Sequence, residues 1–411
     1  MPSSELYKFN NAKKFNREII NFRKNIDFLD RIQFQQSRNL QIYNFEKAMR
    51  ILLDIGHPAH VHLYRNFYKE MIERGHKILV TVKDIPVAKE LLTIYGIPFK
   101  DIGKKANSII GKGFFQLKFG AQLLAMTYRE KIKIGLGTSI TNCHVSKLSP
   151  MRSIFFNDDD DDVQPLMTSF AHPFVDCLLS PDVLKGKRKK ENTIFYAGYH
   201  ELAYLHPKRF TPDPDILNQA GLTNGETFFV MRFNAFKAHH DIRAKGLSLE
   251  NKMYLAKYLS GFGKVFITTE AEIEPELRQY KLKIPSHKVH SLMYFAKLFV
   301  GDSQTMVSEA AMLGVPALRC NSFAGRISCF EEHEQKYGLA YSYKPDNFND
   351  LVFKVKDLVN NPDTKKEWSE KKEKMLNDKI DVTAFMVWFV ENYPESKGIM
   401  LENPDYQFRF R

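Results

Sequence analysis

In the stretch VGDSQTMVSEAAMLGVPALR, residues 300–319, an apolar run ends in the polar corner Asp302, Ser303, Gln304, Thr305, and a carboxylate, Glu309, follows one helical turn later. Asp302 or Ser303 can cap the helix that this spacing predicts. The first-turn amides of Ser303 to Thr305 are then unpaired donors at the positive end of the helix dipole. A phosphate or diphosphate suits that position. Thr305 and Glu309 are four apart and share a face, so Glu309 is placed to accept hydrogen bonds from two ribose hydroxyls. Ala310, Ala311 and Gly314 let the helix lie close to its sheet. The same residues also fit an ordinary capped core helix with a solvated Glu309, and on their own they do not decide between the two.

Other groups of interest sit at the ends of apolar runs. DIGHPAHVHLYRNF carries His57, His60 and His62; the spacing is compatible with zinc but lacks a nearby carboxylate or fourth ligand. RFNAFKAHHDIRAKG offers Arg232, His239, His240 and Asp241, and Arg232, at the carboxyl end of a strand, can pair with a diphosphate in bidentate geometry. His290 and Arg326 lie in neighbouring loops, as substrate contacts or as structural residues. FNDDDDDVQP, residues 156–165, invites a hard-cation reading, yet five consecutive aspartates repel one another and suit a solvated loop, with Asp158 left as a residue that can face a cleft. No metal site is expected.

These residues need elements to hold them. From Met49 the chain alternates short apolar runs with helical stretches: strand RILLDI, a helix from about 61 to 74, KILVTV, a helix from about 85 to 95, GIPFKDIG, the aromatic stretch GFFQLKFGAQLLAMTYRE, then KIKIGLG, SIFF and DCLLSP. A second series reads TIFYAG, TFFVMRF, a helix near 248–260, KVFITT, KVH, a helix through LMYFAKL, LFVGD, the helix after Ser303, and VPALR. Strands separated by helices imply parallel sheets with right-handed crossovers. The fold class is therefore α/β, two Rossmann-like parallel-sheet domains facing a cleft, where ligands sit beyond the carboxyl ends of the strands. The expected division is 1–48, a basic polar leader, disordered or preceding the true start; 49–184, the N-terminal domain; 185–192, the exposed basic linker KGKRKKEN; 193–378, the C-terminal domain; and 379–411, a C-terminal helix packing between the domains and a tail.

Residues 1–48 hold nine Lys/Arg against five Asp/Glu, which accounts for +4 of the net +12. The rest of the charge is spread out and no nucleic-acid motif accompanies it, so nucleic acid is not expected as a partner. The four cysteines, Cys143, Cys177, Cys320 and Cys329, have no CxxC spacing and read as reduced thiols. No apolar run reaches the roughly 20 residues that span a bilayer, and the default location is the cytoplasm. The aromatic stretch at 113–130 reads either as a core helix or as a partly exposed helix peripheral to the inner face of a membrane, or touching a lipid-linked acceptor.

The segment HSLMYFAKLFVGDSQTMVSEAAMLGVPALR resembles the nucleotide-binding segment of two-domain GT-B proteins, close to MurG-type glycosyltransferases and to non-hydrolysing UDP-N-acetylglucosamine 2-epimerases. Residues 49 to about 395 resemble an uncharacterised bacterial and archaeal family related to both, most specifically in YAGYHELAYLHP (196–207), AHHD (238–241) and the stretch after Val300. The resemblance implies a GT-B fold with the nucleotide on the C-terminal domain, Ser303, Gln304 and Thr305 at the diphosphate and Glu309 at the ribose. The glycines of the epimerase motif are Gln304 and Thr305 here, which holds the backbone further from the phosphates. The His-rich loop resembles the GGH loop of MurG-type enzymes with His60 aligned, so His60, and next to it His57, become catalytic candidates; a neutral imidazole can take a proton from an acceptor hydroxyl. Arg232 joins the nucleotide contacts, and His240, Asp241, His290 and Arg326 the substrate contacts. GT-B enzymes typically need no bound metal, and no cofactor is expected beyond the nucleotide-sugar substrate.

The reading that follows is a glycosyltransferase using a nucleotide-sugar donor, a UDP-sugar first, and a surface-glycan or lipid-linked acceptor. The alternatives are a non-hydrolysing 2-epimerase, against which GHPAH replaces the epimerase RPE loop and no HxEAG signature occurs, and a non-catalytic nucleotide-sugar binder.

Overall fold

The computed structural model describes residues 48–103, 109–223, 225–233, 245–269 and 272–411, with the side chains of 109–115 left aside. His239, His240 and Asp241 lie outside the described residues.

The first half contains β1 (Arg50–Ile55), α1 (Pro58–Glu73), β2 (Lys77–Val82), α2 (Pro86–Ile94), β3 (Phe99–Asp101), α3 (Ile109–Arg129), β4 (Ile134–Gly137), α4 (Ile140–Lys147), β5 (Arg152–Phe156), α5 (Pro165–Phe170), β6 (Cys177–Pro181) and β7 (Ile194–Tyr196). After the helical turn α6 (Leu202–Leu205) come β8 (Phe228–Phe233), α7 (Leu249–Ser260), β9 (Lys264–Thr269), α8 (Val289–Phe295), β10 (Leu298–Gly301), α9 (Gln304–Leu313), β11 (Ala317–Cys320), β12 (Ala340–Tyr343), α10 (Phe348–Asn360), α11 (Thr364–Asp378), α12 (Val382–Glu391) and α13 (Glu395–Glu402). The strands form a seven-stranded sheet of order β3-β2-β1-β4-β5-β6-β7 and a five-stranded sheet of order β12-β11-β10-β8-β9, every pairing parallel. Helices cover both faces, so the central strands are apolar on both sides; Ile51, Leu52, Leu53 and Ile55 of β1 are all buried.

In each sheet the strand order reverses at one point, where loops on the two sides diverge and open a crevice. In the first sheet this lies between β1 and β4, whose Asp54 and Gly137 are register partners. Gly137 has φ +142, and a Cβ there would come within 2.6 Å of the Asp54 carbonyl oxygen. In the second sheet it lies between β8 and β10. A Cβ on Gly301 would overlap the Arg232 carbonyl, so only glycine lets these two strand ends approach.

Four expectations require correction. The strand in TIFYAG does not open the second series: Ile194–Tyr196 pairs with β6 and completes the first sheet as its edge strand. KVH at 288–290 is the entry to α8 rather than a strand. The aspartate run is no solvated loop. Asp160 and Asp161 are buried; Asp160 accepts from Ser328 N at 2.8 Å and Ser328 Oγ at 2.5 Å. Asp161 accepts from Arg188 Nη1 at 2.6 Å and Lys189 N at 2.8 Å. Burial works to raise the Asp161 pKa, but the Lys189 amide and the Arg188 guanidinium outweigh it and hold the carboxyl below its usual range. The basic stretch therefore does not serve only as an exposed linker, since the Arg188 side chain is inserted and nearly fully buried.

The C-terminal segment returns to the first domain. Glu391 of α12 pairs with Arg74 and His76, each at 2.9 Å, Lys397 donates to Asp176 O at 3.0 Å, and Gln407 Oε1 accepts from Ala197 N at 2.6 Å. All four cysteines are buried free thiols. Among the described residues no helix is long and apolar enough to cross a membrane.

Candidate functional site between the two sheets

The end of β10 delivers Asp302 and Ser303 to the start of α9. Ser303 occupies the N-cap position in an extended conformation, yet no side chain among the described residues caps the helix. Its hydroxyl leaves the first-turn amides to another acceptor. Asp302 N donates to Arg232 O at 3.1 Å and Asn321 Nδ2 donates to Asp302 O at 2.9 Å, which fixes the corner against β8 and β11. Gln304 and Thr305 are partly exposed. Arg232, half-buried at the end of β8, donates through Nη1 to Thr268 Oγ1 at 2.9 Å. Ser303, Gln304, Thr305 and Arg232 are thus brought to one switch point.

Glu309 is 4% exposed and not solvated. Its Oε1 accepts from the Tyr204 hydroxyl at 2.8 Å and meets His290 Nε2 at 2.9 Å, while Oε2 makes no hydrogen bond among the described residues. His290 belongs to α8, Tyr204 to α6. The first domain joins them through α1: the His62 ring lies 4.9 Å from His290 edge-on and stacks on Tyr204 at 5.4 Å. Burial, the neighbouring His290 and Arg65 push the His62 pKa well below its usual value, so this ring is neutral at pH 7. Arg65 donates to Tyr95 Oη at 2.7 Å and Asn66 to Ala203 O at 2.8 Å, closing the seam beside it.

At the switch point of the first sheet His60 is partly exposed. Its Nδ1 accepts from Gly56 N at 3.3 Å, and Thr138 Oγ1 lies 2.8 Å from Nδ1 and 2.7 Å from Nε2. His57 is exposed and caps α1, its Nδ1 accepting from Ala59 N at 3.2 Å. That capping bond accounts for a histidine at this position. Arg326 is exposed and faces Asp162 at 3.5 Å.

A second group lies along the same seam. His200 Nδ1 is 3.1 Å from Asp158 Oδ2. Glu201 beside it is buried, and burial, reinforced by the Asp158 charge, pushes its carboxyl up to about 7. His200, Glu201 and Tyr204 all come from YAGYHELAYLHP, a motif the sequence singles out without giving any of its residues a task. The signal was the density of His, Glu and Tyr in an otherwise apolar turn.

A family model described as "Protein of unknown function (DUF354)" matches residues 49–393. An uncharacterized protein of Methanocaldococcus jannaschii is 22% identical over 284 residues, 66% of this chain and 81% of that protein. Among solved structures, S. aureus MnaA in complex with UDP matches with a TM-score of 0.59 at 12% identity, over 88% of this chain and 98% of that one. A UDP-N-acetylglucosamine 2-epimerase matches at 0.57 and 13%, over 89% and 97%. Spinosyn forosaminyltransferase matches at 0.56 and 12%, over 80% and 95%. At these identities the likeness is one of fold, and the fold is GT-B.

Proposed function

The chain belongs to the DUF354 family, and from that premise and its GT-B architecture we propose that it is a glycosyltransferase, moving a sugar from a nucleotide-diphosphate donor, a UDP-sugar first, to a hydroxyl of a surface-glycan or lipid-linked acceptor. One observation carries the nucleotide half of this reading. The uncapped N-terminus of α9 stands at a switch point with Arg232 beside it and a held carboxylate, Glu309, one turn in. The first-turn amides and the Arg232 fork take the diphosphate and stabilise the charge that develops as it departs. Tyr204 and His290 fix Glu309 by one oxygen and leave Oε2 to the ribose. His60 contacts the acceptor side, and the acceptor's proton passes to an imidazole at the seam as its oxygen bonds to the sugar carbon.

Exposed Leu117, Leu148 and Leu166, together with exposed Lys118, Arg129 and Lys147, support peripheral contact with a membrane carrying a lipid-linked acceptor. A second reading, a non-hydrolysing nucleotide-sugar 2-epimerase, is favoured by the Glu201 carboxyl, whose pKa of about 7 suits proton abstraction and return.

Calorimetry with UDP, GDP, CMP and dTDP, using Glu309→Ala as control, tests the site. Tight binding of one nucleotide that depends on Glu309 supports it, and no binding to any of the four refutes it. A C2-epimerised donor produced without an acceptor would select the second reading.

A further inference from the structure

Three buried polar atoms have no hydrogen-bond partner among the described residues: Tyr64 Oη, Tyr196 Oη and Nε2 of His200, whose Nδ1 faces Asp158. Tyr64, on α1, is 1% exposed, and Tyr196, the last residue of β7, is 0% exposed. Burial and then the Asp158 charge raise both phenols, so both stay protonated donors and both lie within the field of that carboxylate. Buried polar groups without partners are rare, and a cluster of them calls for a group that satisfies them.

The histidine has a defined polarity. Asp158 Oδ2, 3.1 Å from Nδ1, favours the tautomer that carries its proton there, with the lone pair on Nε2, which has no hydrogen-bond partner among the described residues. His60 is less suited to accept a proton, because Gly56 N and Thr138 Oγ1 already engage its ring. His200 Nε2 lies where the two halves meet. Cys329 Sγ, beyond the second sheet, donates to Asp158 O at 3.7 Å, and Ser328 grips Asp160.

We propose that Asp158 and His200 form the acid–base dyad of the transfer reaction, with Tyr64 and Tyr196 as hydrogen-bond donors to the oxygen on which it acts. This rests on the glycosyltransferase reading and names its base. The acceptor O–H gives its proton to His200 Nε2 while its oxygen bonds to the anomeric carbon. The bond from that carbon to the donor phosphate breaks, and its electron pair leaves with the nucleotide diphosphate. Asp158 stays ionised and balances the imidazolium; His60 keeps a positioning task.

The charges facing His200 are Asp158 and Asp159 from the loop after β5 and Glu201 beside it, with Arg188 near Asp158. Burial works against the charged ring, but Asp158 and its hydrogen bond outweigh it, and the His200 pKa lies above its usual value. Activity therefore rises with pH as His200 loses its proton.

The test uses the full chain and measures nucleotide release from UDP-N-acetylglucosamine, UDP-glucose, GDP-mannose and dTDP-glucose with water as acceptor. His200→Gln should lower release at least about 100-fold, as expected for loss of a general base, with nucleotide affinity within about twofold of wild type. Asp158→Asn should lower release and move the acid limb of the pH profile to lower pH, since the carboxylate that raises His200 is gone. His60→Gln should leave that limb in place. If His200→Gln loses its cooperative thermal transition, the displaced limb of Asp158→Asn carries the test. A His200→Gln protein with wild-type release and limb overturns the dyad alone; a wild type that binds none of the four sugars overturns the nucleotide-sugar reading, and the dyad with it.

Discussion

Tyr204 and Glu309 are 105 positions apart and meet at 2.8 Å, the phenol of the crossover segment donating to the carboxylate one turn inside α9. Because His290 engages the same oxygen, the carboxylate cannot rotate without losing two partners. A nucleotide arriving at α9 would find its ribose acceptor already oriented, and the cost of ordering it already met in folding.

Glu309→Ala should therefore weaken binding of the cognate nucleotide by roughly 10- to 100-fold, since a hydrogen bond to a charged group contributes about 1.5–3 kcal/mol. Tyr204→Phe keeps the charge and one partner, so its loss should be several-fold smaller. Titration calorimetry of both variants checks the ranking; a Tyr204→Phe protein with wild-type affinity would mean that this orienting bond is unimportant.

Asp160 links the halves, accepting from both the amide and the hydroxyl of Ser328 in a buried setting. Asp160→Ala strands that amide, and the fold should lose about 2–3 kcal/mol. Ser328→Ala keeps the amide bond and should lose about 1 kcal/mol. Urea denaturation with both variants measures the difference.

Stability should also fall across the mildly acidic to neutral range because of Glu201. Its folded pKa is raised from 4.5 to about 7, first by burial and then by Asp158. Between those values the unfolded chain has lost the proton and the folded chain retains it, so stability drops as pH rises and levels off above about 7. The displacement corresponds to on the order of 3 kcal/mol at 1.36 kcal/mol per pK unit. Glu201→Gln should flatten this slope and be more stable than wild type at pH 8 but not at pH 4. Thermal unfolding at both values decides; an unchanged slope would place the titration elsewhere.

The sheets were legible because period and length of apolar runs identify parallel strands whatever their neighbours, and the Asp302–Glu309 corner was legible because helix caps are local. Asp158 was not. A run of like charges reads as solvated until Arg188, His200 and Ser328 are brought to it from 27 to 168 positions away, which is a property of the tertiary fold. The task of Tyr204 was hidden for the same reason. TIFYAG was assigned to the wrong sheet because a strand's own sequence does not reveal which free edge it will meet.

The last prediction concerns Gly301, which touches no substrate in this reading. Its Cα packs against the Arg232 carbonyl so closely that an added methyl group would overlap it, and that carbonyl is the acceptor for Asp302 N at 3.1 Å. Gly301→Ala must push β8 and β10 apart where both deliver the proposed diphosphate ligands. Overpacking of this kind costs about 1–3 kcal/mol, and the displaced Arg232 should weaken nucleotide binding beyond what stability alone explains. Arg232→Lys separates the two effects: it keeps the strand contact and the charge but removes the planar fork, so affinity should fall while the unfolding midpoint stays near wild type. If Gly301→Ala lowers the midpoint and leaves affinity intact, the β8–β10 switch point is a packing feature and the diphosphate lies elsewhere.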